Sequence, residues 1–198
     1  MSMKKNRNSP QSSQQMGEVR IIAGLWRGRK LPVLNAEGLR PTTDRVKETL
    51  FNWLMHDIAH SRCLDCFAGS GSLGFEALSR QAQAVVFLEK FANAANLLKK
   101  NLQTLKTENG SVIHTDTLHY LSNKNSSEPF DIVFIDPPFH QNLVPQVLKL
   151  LVENHWLAEN AILYVETEKN HVPLDLPEGW QILKEKAAGM VVSRLIQA

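Results

Sequence analysis

From Arg62 to the end, two patterns alternate along the chain. Short apolar runs at CLDCF (63–67), AVVFLEK (84–90), SVIHTD (111–116), FDIVFI (130–135) and AILYVETE (161–168) read as strands. Between them, apolar residues recur every three or four positions. GSGSLGFEALSRQ reads as a glycine turn entering a helix, residues 91–105 as a second helix, and NLVPQVLKLLVENHW as a third. The final segment, WQILKEKAAGMVVSRLIQA, reads as two strands around Gly189. Strands alternating with helices predict an α/β fold: a doubly wound, Rossmann-like, seven-stranded and mostly parallel sheet with an antiparallel C-terminal strand. In such sheets ligands bind at the C-terminal ends of the strands, so the chemistry is expected there.

Ahead of this region, VRIIAG (19–24) and LWRGRKLPVL (25–34) predict an N-terminal β-hairpin. RPTTDRVKETLFNWL contains a helix start: Thr42 or Thr43 can cap, Asp44 sits in the first turn, and Val46, Leu50, Phe51 and Leu54 follow helical spacing. The expected organisation is a disordered polar tail over 1–18, a basic hairpin and leading helix over 19–56, and the main α/β domain over 57–198.

Composition changes this picture in two places. The net charge is +2, but residues 1–47 hold ten basic and three acidic side chains, leaving the remainder at −5. A basic N-terminal arm on a mildly acidic body points to an anionic macromolecular partner. Cys63 and Cys66 fall inside a strand, where an odd separation puts them on opposite faces. That favours core packing over a redox pair. The seven histidines show no metal-ligand spacing, and His140 reads as an exposed loop residue. Trp53, Trp156 and Trp180 fit apolar spacing and read as packing residues. No apolar run approaches the ~20 residues of a membrane span, and the polar N-terminus lacks a secretory core, so no membrane partner and a cytoplasmic location are expected.

The candidate chemistry begins at Gly69, Gly71 and Gly74, a GxGxxG that ends the first strand of the main domain and opens a helix. Glycines allow a sharp turn and a close approach to a ligand, while the helix N-terminus offers free N–H groups. Alone this motif is weak. Asp65 precedes it at the strand end. Glu89 ends the next strand 24 residues later, near the ~20-residue offset of an acid that grips a ribose diol. Asp116 ends the third, where an adenine amino group can be met. Acids around the site suit a cationic sulfonium donor, S-adenosylmethionine, better than the pyrophosphate of NAD.

Asp136-Pro137-Pro138-Phe139 ends the fourth strand. Prolines cannot continue a sheet interior, so the chain leaves the sheet there. Taken alone, this is equally a strand stop with Phe139 in the core. Beside the glycine loop it reads as an amine-binding site. The Asp136 carboxylate and Pro137 carbonyl accept N–H bonds from an exocyclic amine, and Phe139 stacks on a base taken out of its helix.

The order of these pieces resembles the class I S-adenosylmethionine-dependent methyltransferases. More closely it resembles the RsmD-type 16S ribosomal RNA guanine-N2 methyltransferases, through RIIAGLWRGRKLPV, LRPTTDRVKETLFNWL, LDCFAGSGSLGFEALSR, FDIVFIDPPF and LYVETE. The match runs from Arg20 to the end. It implies methylation of a guanine N2 amine in 16S rRNA, within an assembled or assembling small ribosomal subunit. The chain is expected to work as a monomer. Cofactor contacts are then expected from Asp65, Phe67, Gly69, Ser70, Gly71, Glu89, Asp116, Thr117 and Thr43. RNA contacts are expected from Arg20, Trp26, Arg27, Arg29, Lys30, Arg40 and Arg45. DNA adenine-N6 methylation is the rival within this class, though the chain leaves no room for an added target-recognition domain. A non-catalytic ribosome-assembly module and an NAD-dependent oxidoreductase are the rivals outside it, and the intact DPPF counts against both.

Overall fold

The computed structural model describes residues 16–34, 44–169 and 174–198. Its frame is a seven-stranded sheet built by β3 (Arg62–Asp65), β4 (Ala84–Glu89), β5 (Gly110–His114), β6 (Phe130–Ile135), β7 (Leu157–Glu168), β8 (Gln181–Ala188) and β9 (Val191–Gln197). The order across the sheet is β5-β4-β3-β6-β7-β9-β8, with β9 antiparallel to both β7 and β8 and the other pairs parallel. The winding reverses between β3 and β6, where the helices leaving the two strands diverge and open a crevice.

Helices α2 (Ser72–Ser79), α3 (Ala92–Leu105), α4 (Thr117–Leu121) and α5 (Val144–Glu153) make the connections. Side-chain alternation along the strands feeds two apolar layers. Cys63, Ile132, Phe134 and Tyr164 join one, while Leu64, Val133, Ile135 and Val165 join the other. Cys63 and Cys66 are free, buried and divided between these layers as expected, although Cys66 lies just past the end of β3 and not inside it. Burial pushes the Cys63 thiol up to about 12, against a partly compensating hydrogen bond with Ser61. Such a thiol is a packing group and not a nucleophile. Trp156 is buried, and Trp53 and Trp180 pack at the layer margins.

The N-terminal strands β1 (Met16–Arg20) and β2 (Lys30–Leu34) pair antiparallel, Arg20 opposite Lys30. They are shorter than the sequence suggests. A single 3₁₀ turn at Gly24–Trp26 interrupts the hairpin, so Trp26, Arg27 and Arg29 lie on its connection and not on its strands. The polar tail also ends earlier than expected, because Met16, Gly17 and Glu18 already pair in β1. Residues 1–15 lie outside the described residues.

The hairpin shares the core of the main sheet. Val19, Ile21 and Leu31 are buried with Leu50, Phe51 and Leu54 of α1 (Asp44–Trp53) and its following turn, and with Phe75 of α2. Polar ties fix this packing. The fully buried Glu76 carboxylate accepts the Ile22 and Ala23 N–H groups at 2.8 and 3.1 Å and the Arg80 Nε–H at 2.8 Å. The Ser79 hydroxyl donates to the Ala23 carbonyl and accepts the Trp26 N–H at 3.0 Å. Lys47, buried on α1, donates to the Arg20 carbonyl and lies 3.4 Å from Asp44. A buried charge is tolerated only when so supplied with partners. The Thr42 or Thr43 cap expected for α1 falls outside the described residues.

Candidate active site

The glycine turn is built where β3 stops. The sheet strand ends at Asp65, two residues short of the predicted Phe67, because the chain turns over the strand tops: the Cys66 N–H donates to Phe134 and the Ala68 N–H to Leu88. Gly71 caps α2 with φ +75°, which side chains disfavour. Gly74 lets the helix lie on the sheet, since a Cβ there would meet the Phe87 ring at 2.1 Å. The two glycines serve the turn and the packing, and Gly69 and Ser70 face the cleft above them.

That cleft holds about 1280 Å³ along the C-terminal strand ends. Gly69, Ser70, Phe67, Glu89, Phe91, Asp116, Thr117 and Leu118 line one end, and Asp136, Pro137, Pro138, Phe139, Glu166 and Ser193 the other. Pro32, Val33 and Leu34 of the hairpin and Arg45 of α1 contribute to its walls.

The acids behave differently from one another. Asp65 is buried beneath the loop, with Oδ2 accepting the Gly74 N–H at 3.3 Å, and does not line the cleft. Burial, offset in part by that N–H and reinforced by the charge of Glu89, pushes it up to about 7. Glu89 does reach the cleft. Its Oε2 accepts the Gly69 N–H at 2.8 Å and its Oε1 the Phe91 N–H at 2.7 Å, while burial raises its pKa against these donors. Asp116 departs from its predicted place. β5 ends at His114, and Asp116 is instead the N-cap of α4, its Oδ1 accepting the Leu118 and His119 N–H groups at 3.0 and 3.2 Å. Its Oδ2 lies 3.1 Å from Lys90 Nζ. Burial works against its ionised form but is outweighed by Lys90 and the capping donors, which hold the carboxyl below its usual range. A short polar side chain that caps a helix competes with strand pairing, which is why the strand stops early. Thr117 is buried and donates to the Cys66 carbonyl, tying α4 to the glycine turn.

At the far end, β6 stops at Ile135 and the two prolines carry the chain out of the sheet. Asp136 opens onto the cleft; burial first, then the charges of Glu166 and Asp65, raise its pKa well above the carboxylate range. Phe139 is 40 % exposed and so is available to a ligand instead of filling the core. His140 is exposed, its backbone N–H donating to Glu168 Oε1 at 2.7 Å. Three residues here carry no predicted role, although the first two fall within LYVETE: Tyr164, whose hydroxyl donates to Glu166 Oε1 at 2.5 Å, Glu166 itself, and Ser193, 3.2 Å from the same hydroxyl. At the other end Phe91, 72 % exposed, likewise carries none.

The basic residues divide by partner. Arg20 lies 3.6 Å from Asp44 and Lys30 2.9 Å from Glu18. Arg27 and Arg29 are exposed, and among the described residues neither has an ion-pair partner. Trp26 packs partly against the core. Arg40 and Thr43 lie outside the described residues. No helix among the described residues is long and apolar enough to cross a membrane.

Comparison with known proteins places this architecture. A family model described as conserved hypothetical protein 95 matches residues 19–197. The ribosomal RNA small subunit methyltransferase D of Haemophilus influenzae is 64% identical over 183 residues, covering 91% of this chain and 94% of the relative. The protein of the same name from Escherichia coli strain K12 is 49% identical over 181 residues, covering 91% and 90%. A solved putative methyltransferase from Escherichia coli superposes with a TM-score of 0.83 at 49% identity, covering 91% of this chain and 98% of that one.

Proposed function

The chain belongs to the conserved hypothetical protein 95 family, that of the ribosomal RNA small subunit methyltransferases D, and from that premise we propose that it methylates the N2 amine of a guanine in 16S rRNA, using S-adenosylmethionine. The observation that carries this reading is the pairing of two ends in one cleft: an acid and glycine turn at Glu89 and Gly69, and Asp136-Pro137-Pro138-Phe139 opposite.

The cleft suits the cofactor. Its volume exceeds the ~300–1,000 Å³ of a single small-ligand site, leaving room for a nucleoside-sized group and a base. Its acids favour a cation over a pyrophosphate. Glu89 is the residue to hold the ribose hydroxyls, Gly69 and Ser70 to follow the backbone of the ligand, Phe91 and Leu118 to cover an adenine, and Asp116 and Thr117 to edge it. When bound, S-adenosylmethionine supplies an electrophilic methyl group on sulfur.

The chain's own residues supply the rest. An exocyclic amine is conjugated with its ring and is a poor nucleophile. Asp136 and the Pro137 carbonyl accept its N–H groups, turning the nitrogen lone pair toward the methyl. The stiff Pro-Pro backbone fixes that carbonyl, and Phe139 stacks on the base. Arg45 and the exposed Arg27 and Arg29 contact RNA phosphates, and the enzyme works as a monomer in the cytoplasm on a small subunit that is assembled or assembling.

Nucleoside mass spectrometry of rRNA from cells lacking the protein tests the reading. One N2-methylguanine should vanish from 16S rRNA and return when purified protein and S-adenosylmethionine are added to the subunits. Unchanged modification of that RNA overturns it.

A further inference from the structure

Beside Asp136 stands a second carboxylate to which methyl transfer, as derived so far, gives no task. β6 and β7 run parallel with Ile135 opposite Val165, so Asp136, the first residue past the end of β6, comes level with Glu166, which is still within β7. Both line the acceptor end of the cleft, and the charge of Glu166 contributes to the raised pKa of Asp136. Glu166 is held in place: the hydroxyl of fully buried Tyr164 donates to its Oε1 at 2.5 Å and lies 3.2 Å from Ser193 Oγ, and Ser193 faces Glu166 across the β7–β9 ladder. Packing two acids side by side is unfavourable unless the ligand brings hydrogen-bond donors to both.

A guanine does so. Its N2 amine and N1–H form one continuous edge of donors. Adenine presents a bare N1 lone pair beside its amine, which would face a carboxylate acceptor to acceptor. We propose that Glu166 accepts the N1–H of the guanine whose N2 amine is held by Asp136 and the Pro137 carbonyl, making Glu166 the residue that selects guanine over adenine. The proposal rests on the guanine-N2 reading. A site built to bond a polar edge rejects an analogue lacking it far more strongly than an apolar pocket does.

The test uses small subunits reconstituted on 16S RNA that carries guanine or 2-aminopurine at the target position. 2-Aminopurine keeps the N2 amine but has an acceptor at N1. The unaltered enzyme should prefer guanine by about 10²-fold or more in kcat/KM. Glu166→Gln brings an amide that can donate to N1, so the preference should collapse to within about tenfold, with S-adenosylmethionine affinity by calorimetry unchanged. Tyr164→Phe removes the hydroxyl that holds Oε1 and should shrink the preference in the same direction by less. Equal losses on both bases in Glu166→Gln, with the ratio intact, overturn the role of Glu166 while leaving guanine methylation standing. Failure of the unaltered enzyme to methylate the guanine substrate brings down the underlying reading instead.

Discussion

The Glu89 carboxylate accepts the backbone N–H of Gly69 at 2.8 Å, so the acid at the end of β4 and the glycine turn after β3 form one hydrogen-bonded unit. Its other oxygen accepts the Phe91 N–H at 2.7 Å, which fixes the turn into α3, whose N-cap is the exposed Phe91. Glu89→Ala removes the proposed ribose contact and leaves both N–H groups without their acceptor. S-adenosylmethionine affinity measured by calorimetry should fall about 10²-fold or more. Glu89→Gln keeps one acceptor and should lose less.

Asp136 sits at the opposite end and should separate binding from chemistry. Asp136→Ala is expected to lower kcat by at least about 10²–10³-fold, the scale of losing one positioned transition-state partner. S-adenosylmethionine affinity should stay within a few-fold of the native value. Burial and the charges of Glu166 and Asp65 raise the Asp136 pKa, so the acceptor form appears only above the usual carboxylate range. The kcat/KM for the RNA substrate, which reports the free enzyme, should therefore rise with pH through that raised value. Full activity in Asp136→Ala would sink the proposed amine site.

How much of this is legible in the chain follows from the range of the interactions. β6 is legible to the residue, because a run apolar at every position but Asp131, and stopped by two prolines just beyond Asp136, leaves one local solution. The glycine turn and Glu89 are legible because their spacing along the chain reflects the fold. Asp116 lies two residues beyond the strand it was expected to end, since a capping aspartate and a strand-end aspartate look alike until α4 is seen behind it. Glu166 lies within LYVETE yet receives no role from the sequence, although the same signal, an acid near the end of the next parallel strand, points to it. Glu76 gives no signal at all: its backbone partners Ile22 and Ala23 lie 54 and 53 residues away.

Asp65 lies under the turn and costs stability when ionised. Burial, with Glu89 adding to it, lifts its carboxyl from 3.8 to about 7, against the Gly74 and Phe67 N–H groups. Between these values the folded protein keeps a proton that the unfolded chain has released, so stability falls as pH rises through the window. The penalty is absent below it and complete above it. Asp65→Asn retains an acceptor for Gly74 and should be more stable than the native protein at pH 8, by an amount on the order of 1–4 kcal/mol. The advantage should shrink toward pH 4.5. Urea unfolding of both proteins at the two pH values reads the difference, which includes the relief of Asp136 from the Asp65 charge.

Glu76 is the polar tie between hairpin and helix, and its loss should be felt by the whole fold. Glu76→Ala leaves the Ile22 and Ala23 N–H groups and the Arg80 guanidinium without their buried carboxylate. Breaking a buried charge network in this way costs about 3–5 kcal/mol. Arg80 also lies over the Phe51 ring at 4.9 Å, so the loss reaches α1 as well. The urea midpoint should drop in one cooperative transition, because Val19, Ile21 and Leu31 share the core of α2. A separate early transition for the hairpin would contradict that shared core.

Arg27 and Arg29 differ from the other basic residues of the hairpin in having no acidic partner among the described residues, whereas Arg20 and Lys30 already face Asp44 and Glu18. A cation without a protein partner gives up less when it meets a phosphate. The Arg27→Ala, Arg29→Ala double variant should therefore weaken RNA binding at low salt about equally for target and unrelated sequences. It should also flatten the dependence of log affinity on log salt by about 0.7 for each phosphate that is no longer neutralised. S-adenosylmethionine binding should not change, since neither residue lines the cleft. Fluorescence anisotropy over a salt series measures the slope. An unchanged slope would place the RNA elsewhere on the surface, whereas a weakening confined to the target sequence would mean that these side chains touch bases and not phosphates.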